Sequence, residues 1–284
     1  MNCRMDWEIA VPSYRRAQTL REKTASLLER YKIPPERVTI FVANEQEKIA
    51  YANELAQTPY RNIIVGEVGM GAIRRFIQKH YPEGTRVMNL DDDLSEVLKK
   101  KSDKELVPVE DLGRDVIERG FYECQKNGAK MFGVYAAANP MFMRNLVSVG
   151  LYYCIGSCWG VVSRHDKDLS VTLDDKEDFE RTLQHYVKDG CVVRLDDITV
   201  KSKYYTEAGG MQVTRTEDRI KTSAENLVKR FPHLCSMYIR ETTGHAELRL
   251  RDSRGDAKPI EVLKKQGFKS LKVAKPPKEV RFRR

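Results

Sequence analysis

Four short apolar runs, with amphipathic stretches between them, occupy the first third of the chain, and no other feature restricts its fold as much. The runs are DWEIAVPSY (Asp6–Tyr14), VTIFVAN (Val38–Asn44), RNIIVG (Arg61–Gly66) and TRVMNLD (Thr85–Asp91). Their β-branched and apolar content, bounded by turn residues, reads as strands. The segment from about Arg16 to Tyr31, then EQEKIAYANELA and MGAIRRFIQKHY, read as helices. In the last of these Met70, Ile73 and Ile77 share one face, which turns Arg74 and Arg75 at least partly away from the core. Strands alternating with helices predict an α/β fold: a doubly wound, mainly parallel sheet with helices on both faces. Ligands of such sheets gather at the carboxyl ends of the strands. Pro12-Ser13, Asn44-Glu45, Gly66 and Asp91 all lie at such ends. If strand order reverses between the first and fourth strands, Ser13 and Asp91 become neighbours at the switch point.

The second half has a different character. After Pro108, VEDLGRDVIERGFYECQKNG predicts an amphipathic helix stopped at Gly128. AKMFGVYAA, LYYCIGSCWGVVSR and CVVRLDDITVKSKYY read as strands. Between the last two, LDDKEDFERTLQHYVKDG reads as a helix opened by acids and closed by Gly190. EDRIKTSAENLVKRF is a final helix, and AELRLRDSRG an edge strand or hairpin. The chain thus divides into an α/β half over 1–106, a mixed half over 107–240 and a C-terminal extension over 241–284.

With 284 residues and 41% hydrophobic content, the chain suits one large domain or two small ones. It has no apolar run of the roughly 18 residues a membrane helix needs, and its N-terminus lacks a signal-peptide core, so no membrane association and a cytoplasmic setting are expected. Six cysteines without C-x-x-C spacing, beside five histidines, argue against zinc and against a disulfide framework. Cys154 and Cys158 read as buried thiols. From Lys264 onward nine basic residues face Glu279 alone, so +8 of the net +9 sits in the tail. Such a segment is either a solvated end or a contact for the phosphate backbone of nucleic acid.

VMNLDDDL, Val87 to Leu94, gathers three carboxylates at the end of an apolar run. Extended backbone rises about 3.3 Å per residue and alternates faces, so Asp91 and Asp93 would point the same way. Two charges about 5 Å apart repel by about 3 kcal/mol at an effective dielectric near 20. On a surface turn that cost is small; in a cleft it calls for a cation. Hard carboxylate oxygens suit Mg²⁺ or Mn²⁺ bridging to a diphosphate, and Arg15, Arg16, Arg74 and Arg75 follow turns on the same edge. Asp178, in KEDFE, has two open readings. It is a general base, or an acid of the helix's first turn, with Asp175 at capping-box spacing.

IAVPSYRR, GMGAIRR, VMNLDDDL and KEDFERTL occur in the order found in nucleotide-sugar glycosyltransferases of the GT-A fold, which the chain resembles over about Glu8 to Gly210. More narrowly, GVYAAANPMFM, YYCIGSCWGVVSR and KSKYYTEAGGMQ resemble the phage TET/JBP-associated glycosyltransferases, which act on 5-hydroxymethylated pyrimidines such as hydroxymethylcytosine in DNA. The resemblance implies a Mn²⁺ or Mg²⁺ ion, a nucleotide-sugar donor of the UDP-sugar kind, a modified DNA acceptor and, for a phage enzyme, the host cytoplasm. It assigns the nucleoside to Pro12, Ser13 and Arg15, with Asn44 or Glu45 closing on the base and Arg74 as the helix arginine. Arg75 stands where the family commonly has asparagine. Asp91 and Asp93 match the metal-binding Asp-x-Asp pair, Asp93 as the direct metal ligand and Asp91 nearer the ribose or metal-bound water, with Asp92 among the donor-binding residues. Asp178 matches the base of an inverting reaction. Trp159 and Gly160 would line the sugar or acceptor pocket, unless the tryptophan is core. Met141, Phe142 and Met143 read as core or acceptor-pocket wall, and Gly209-Gly210 as a turn or a closing loop. No third metal ligand is assignable from His165, His185, His233 or His245. The alternatives are a GT-A enzyme acting on a glycan or small molecule, a nucleotidyltransferase, or a non-catalytic nucleic-acid-binding module. The second would prefer a glycine-rich loop that PSYRRAQ lacks, and the third leaves the acid triplet unexplained.

Overall fold

The computed structural model describes residues 5–202, 216–241, 243–253 and 280–281. The first half follows the expected alternation. Strand β1 (Glu8–Pro12) leads into helix α1 over 17–30, which carries a π-type turn at Arg21–Ala25. Then come β2 (Val38–Val42), α2 (Glu45–Glu54), β3 (Ile63–Val65), α3 (Met70–His80) and β4 (Arg86–Leu90). These four strands are parallel in the order β3-β2-β1-β4. The order reverses between β1 and β4, which puts the switch point where the sequence places Ser13 and Asp91.

Both faces of this sheet are covered, so its strands are buried and mainly apolar, with Thr39 and Asn89 as buried polar exceptions. Ile9 and Val11 point to one face with Ile40, Met88 and Leu90, against Leu20, Leu27 and Leu28 of α1. Ala10, Phe41 and Val87 point to the other, against Ile73 and Ile77 of α3.

A hairpin follows, β5 (Glu96–Ser102) and β6 (Glu105–Pro108), which the lysine-rich sequence there does not announce. Helix α4 covers 113–127 and ends at Gly128 in the left-handed conformation (φ 72°). Next are β7 (Met131–Tyr135), β8 (Leu146–Gly150), β9 (Cys158–Val162), α5 (Glu177–Asp189) and β10 (Val192–Lys201). The single strand expected over LYYCIGSCWGVVSR is instead β9 preceded by a loop over 151–157, and β8 lies upstream of it. Gly150, at φ 144°, ends β8 in a conformation side chains disfavour. β9 joins β4 to β7 by antiparallel pairing on both sides. β10 pairs with β7 and β8, then bulges between Leu195 and Thr199 and continues against β5. One 11-stranded sheet therefore runs through both halves, parallel in the first and mixed in the second.

Helix α6 (Glu217–Arg230) and a hairpin of β11 (Cys235–Ile239) and β12 (Ala246–Leu250) pack against α5 around Leu183, Leu227 and Phe231, and β13 (Val280–Arg281) adds to β8. Cys124, Cys154, Cys158, Cys191 and Cys235 are buried and unbridged. Among the described residues no helix is long and apolar enough to cross a membrane. Gly209-Gly210 and, apart from 280–281, the basic tail lie outside the described residues.

Candidate active site

A cleft of about 750 Å³ opens at the carboxyl ends of β1, β2 and β4. Its wall includes Pro12, Ser13, Arg15, Arg74, Asp91, Asp92, Asp93 and Asp178, so topology brings most of the sequence-derived candidates together.

The acid triplet is a turn rather than extended strand, because β4 stops at Leu90. Thr24 of α1 holds that turn: its hydroxyl donates to the Asp91 carbonyl (2.7 Å) and accepts from the Leu94 amide (3.0 Å). The three carboxylates consequently take different partners. Asp91 accepts from Arg74 Nη2 (3.1 Å). Asp92 accepts from Ser13 Oγ (2.5 Å) and from Arg16 Nη1 (3.3 Å). Asp93 accepts from Ser202 Oγ (2.7 Å), with Arg16 at 3.6 Å. The Ser13–triplet contact expected at the switch point is present, through Asp92.

Burial among like charges outweighs these cations. Desolvation pushes the Asp91 carboxyl up to about 7, against Arg74 and with help from Asp93, Asp92 and Glu177. Desolvation likewise pushes Asp92 up to about 6, against Ser13 and Arg16. Uncompensated negative charge in a cleft is what a dication relieves. Among the described residues no group of three or more His, Cys, Asp or Glu is arranged to hold a metal, and no histidine lines the cleft. The donor set fits a hard cation that takes one or two carboxylates and completes its shell with water and phosphate oxygens, as Mg²⁺ does.

Arg74 is buried, 6% exposed, and faces the cleft rather than turning away from the protein. Its guanidinium spans Asp91, the Gly156 carbonyl (3.2 Å) and Glu177 (3.5 Å). Arg75 donates to the Val171 carbonyl (2.8 Å) and braces the chain before α5.

Asp178 sits at the start of α5. The N-cap position falls on Lys176, which is left-handed (φ 62°) and makes no side-chain cap bond. Asp178 accepts from the Phe179 amide (2.9 Å) and from the Tyr153 hydroxyl instead of reaching back along a capping box. Tyr153 is itself fixed by stacking on Phe179, with centroids 4.3 Å apart. Its loop, 151–157, also crosses the triplet: the Asp91 amide donates to the Ser157 carbonyl (3.0 Å).

Several candidates lie elsewhere. Asn44 caps α2 by accepting from the Glu47 amide (2.9 Å), and neither it nor the exposed Glu45 lines the cleft. Trp159 is 6% exposed beneath the cleft, with the Arg181 guanidinium 3.6 Å from its ring. A Cβ on Gly160 would collide with the Phe132 ring, so this glycine serves packing inside the sheet. Of the three residues read as core or wall, Met143 is buried, whereas Met141 and Phe142 are 69% and 61% exposed.

Other wall residues carry no motif. Tyr51 of α2 bonds the Ser13 hydroxyl (2.6 Å) and accepts from the Arg16 amide (3.0 Å), fixing the first turn from 38 residues away. Lys176 and Arg219 add positive charge to the wall. Glu177, next to the candidate base, is the shared partner of Arg74 and Arg181.

No protein-family model and no curated protein matches the sequence. Among solved structures the chain is similar to Staphylococcus aureus TarS 1–349, at 15% identity and TM-score 0.48, over 79% of this chain and 66% of that one. It is similar to the mannosyltransferase PcManGT of Pyrobaculum calidifontis in complex with GDP-Man and Mn²⁺, at 13% identity and TM-score 0.45, over 67% and 57%. A third is 4-diphosphocytidyl-2C-methyl-D-erythritol synthase of Anaerococcus prevotii, at 12% identity and TM-score 0.40, over 78% and 96%. The chain spans slightly under two thirds of the length of the first and 57% of the second.

Proposed function

We propose that this chain is a metal-dependent glycosyltransferase that moves a sugar from a nucleotide diphosphate to the hydroxyl of a 5-hydroxymethylated pyrimidine in DNA. The observation that carries the reading is the meeting of the Asp91/Asp93 pair and Asp178 on the wall of one cleft at the switch point of the sheet. A carboxylate pair at a strand end suits a diphosphate bridged by a dication, and a separate, tethered carboxylate suits proton removal from an acceptor.

In this reading Asp91 and Asp93 would hold Mn²⁺ or Mg²⁺, which neutralises charge on the departing diphosphate. Pro12, Ser13 and Arg15 seat the nucleoside, while Lys176 and Arg219 supply cations for the phosphates. Tyr153 and the Phe179 amide orient Asp178 as an acceptor. As the acceptor oxygen bonds to the anomeric carbon, its proton passes to Asp178 and the carbon–phosphate oxygen bond breaks, leaving the diphosphate and an inverted centre. The hydroxyl must come within about 3 Å of Asp178, so a base in duplex DNA has to leave the stack. Support for DNA as acceptor comes from the resemblance and from the charge of the tail, +8 from Lys264 onward.

The test is to incubate the protein with Mn²⁺ and a panel of nucleotide sugars, UDP-sugars first, on hydroxymethylated or unmodified DNA. Nucleoside diphosphate release and nucleoside mass are then measured. A hexose mass added only to the hydroxymethylated base is expected. Donor hydrolysis without transfer to either DNA overturns the acceptor and leaves the donor reading standing; neither activity with any donor overturns both.

A further inference from the structure

Strand β7 runs parallel to β10 and antiparallel to β9, which in turn runs antiparallel to β4. The carboxyl end of β7 therefore opens on the same sheet edge as the acid turn. From that end the chain crosses to β8 through a loop over 136–145, AAANPMFMRN, which starts on the cleft wall at Ala136.

The loop is clamped just past its tip. Met143 is buried, and Lys100 Nζ donates to its carbonyl (2.5 Å). Arg144 donates to Asp196 twice, from its amide to the carbonyl (3.2 Å) and from Nη2 to the carboxylate (2.8 Å). The tip itself is a tight turn. The Phe142 amide donates to the Asn139 carbonyl (3.2 Å) and the Met141 amide to Asn139 Oδ1 (3.1 Å), while Pro140 between them has its φ set by its ring. The backbone is thus fixed, yet the side chains it presents, Met141 and Phe142, stand mostly in water. A lone apolar side chain on a surface is ordinary. Two large ones side by side on a preformed turn, next to a cleft, mark a contact surface.

The surrounding charge indicates what that surface meets. The loop contains no acid, and its one charged residue is Arg144. Strand β13, the described part of the basic tail, pairs with β8 so that Arg281 stands opposite Leu146, the first residue after the loop. The segment that carries +8 therefore reaches the foot of the apolar tip. An apolar tip beside a basic strand complements duplex DNA, whose phosphates lie outside and whose apolar base faces are stacked within. Proteins that kink or open a duplex push Phe, Met or Pro side chains into that stack.

We propose that Met141 and Phe142 form a wedge that enters the base stack of duplex DNA and fills the gap left by the base turned into the cleft. The inference rests on DNA being the acceptor and supplies the means by which the target leaves the helix. The clamped turn presents the wedge already ordered, so little conformational freedom is lost as it enters.

The experiment offers one hydroxymethylated sequence as duplex and as single strand to the wild type and to the double variant Met141→Ser/Phe142→Ser. Both side chains are exposed, so the variant should melt at the wild-type midpoint. The ratio of duplex to single-strand transfer should fall by about tenfold or more, because only the duplex has pairing and stacking to break. In a duplex with 2-aminopurine beside the target, emission should rise when the wild type binds and stay low with the variant. A mismatch opposite the target should restore the variant's rate on duplex, and Phe142→Leu should keep most of the wild-type ratio. An unchanged ratio, or an equal loss on both substrates, overturns the wedge and leaves the acceptor reading standing. An unchanged ratio with loss of self-association assigns the tip to a second copy of the chain and likewise overturns it. Wild-type transfer to neither DNA overturns the acceptor reading, and the wedge with it.

Discussion

Asp93 and Asp178 share a cleft but sit in different hands, Asp93 with Ser202 and Arg16, Asp178 with Tyr153 and the Phe179 amide. Asp93→Asn is expected to abolish Mn²⁺-dependent donor binding in calorimetry. Asp178→Asn should leave donor binding intact and lower kcat by about 10²–10⁴-fold, the usual worth of a positioned base. Asp91 carries a pH signature. Its folded carboxyl titrates at about 7, above the ordinary 3.8, so without metal the native state holds a proton that the unfolded chain has lost. The stability this confers is complete below about 4 and disappears as pH rises through 7. Metal-free Asp91→Asn should therefore melt above the wild type at pH 8, with the gap closing toward pH 5. Mn²⁺ affinity of the wild type should fall over the same interval as pH is lowered, because the ion displaces that proton. Much at this scale is readable in the residues. Strand ends and motif order point to Pro12, Ser13, Asp91, Asp93 and Asp178. They put Arg16 no nearer than the edge the acids share and assign no role to Tyr51, since the bonds of these two to the acids and to Ser13 follow from packing across 35 residues or more.

The elements themselves are legible wherever periodicity is strong. The helices over 17–30, Met70–His80 and Glu217–Arg230 and the four parallel strands fall where the apolar spacing puts them. β5 and β6 are hidden because three consecutive lysines interrupt the alternation, although Val97 and Leu98 still face inward. The loop over 151–157 reads as strand because it too is apolar. Its Tyr153 and Ile155 are turned toward the cleft and the core instead of into a sheet. Gly160 tests how β9 is built. Phe132 lies against both Gly160 and Gly120 of α4, and an added Cβ at either would run into its ring. Gly160→Ala should cost about 1–3 kcal/mol by overpacking, read from denaturant unfolding. If Gly160 instead contacted sugar, the same change would raise KM at unaltered stability.

Across the whole molecule the charge is segregated, with a nearly neutral body and a basic end. Replacing Lys264, Lys265, Lys269 and Lys272 by Gln should weaken DNA binding. The slope of log affinity against log salt should shrink by about 0.9 for each phosphate no longer neutralised, while donor hydrolysis in the absence of DNA stays as it was. The first half of the fold can be anticipated because parallel strands and their crossovers obey local rules. The other half cannot, because β7 to β10 find partners out of chain order and β10 changes neighbour at its bulge. The stitching between the two halves has a kinetic meaning. The Asp91 amide is bound to Ser157, and Arg74 grips both Asp91 and Gly156. Any shift of the acid turn as the first substrate arrives is therefore felt by the loop that steadies Asp178, and thermodynamic reciprocity requires the second substrate to report back by the same factor. Steady-state plots for this molecule should accordingly show the apparent affinity for each substrate changing with the concentration of the other, in a sequential rather than a double-displacement pattern.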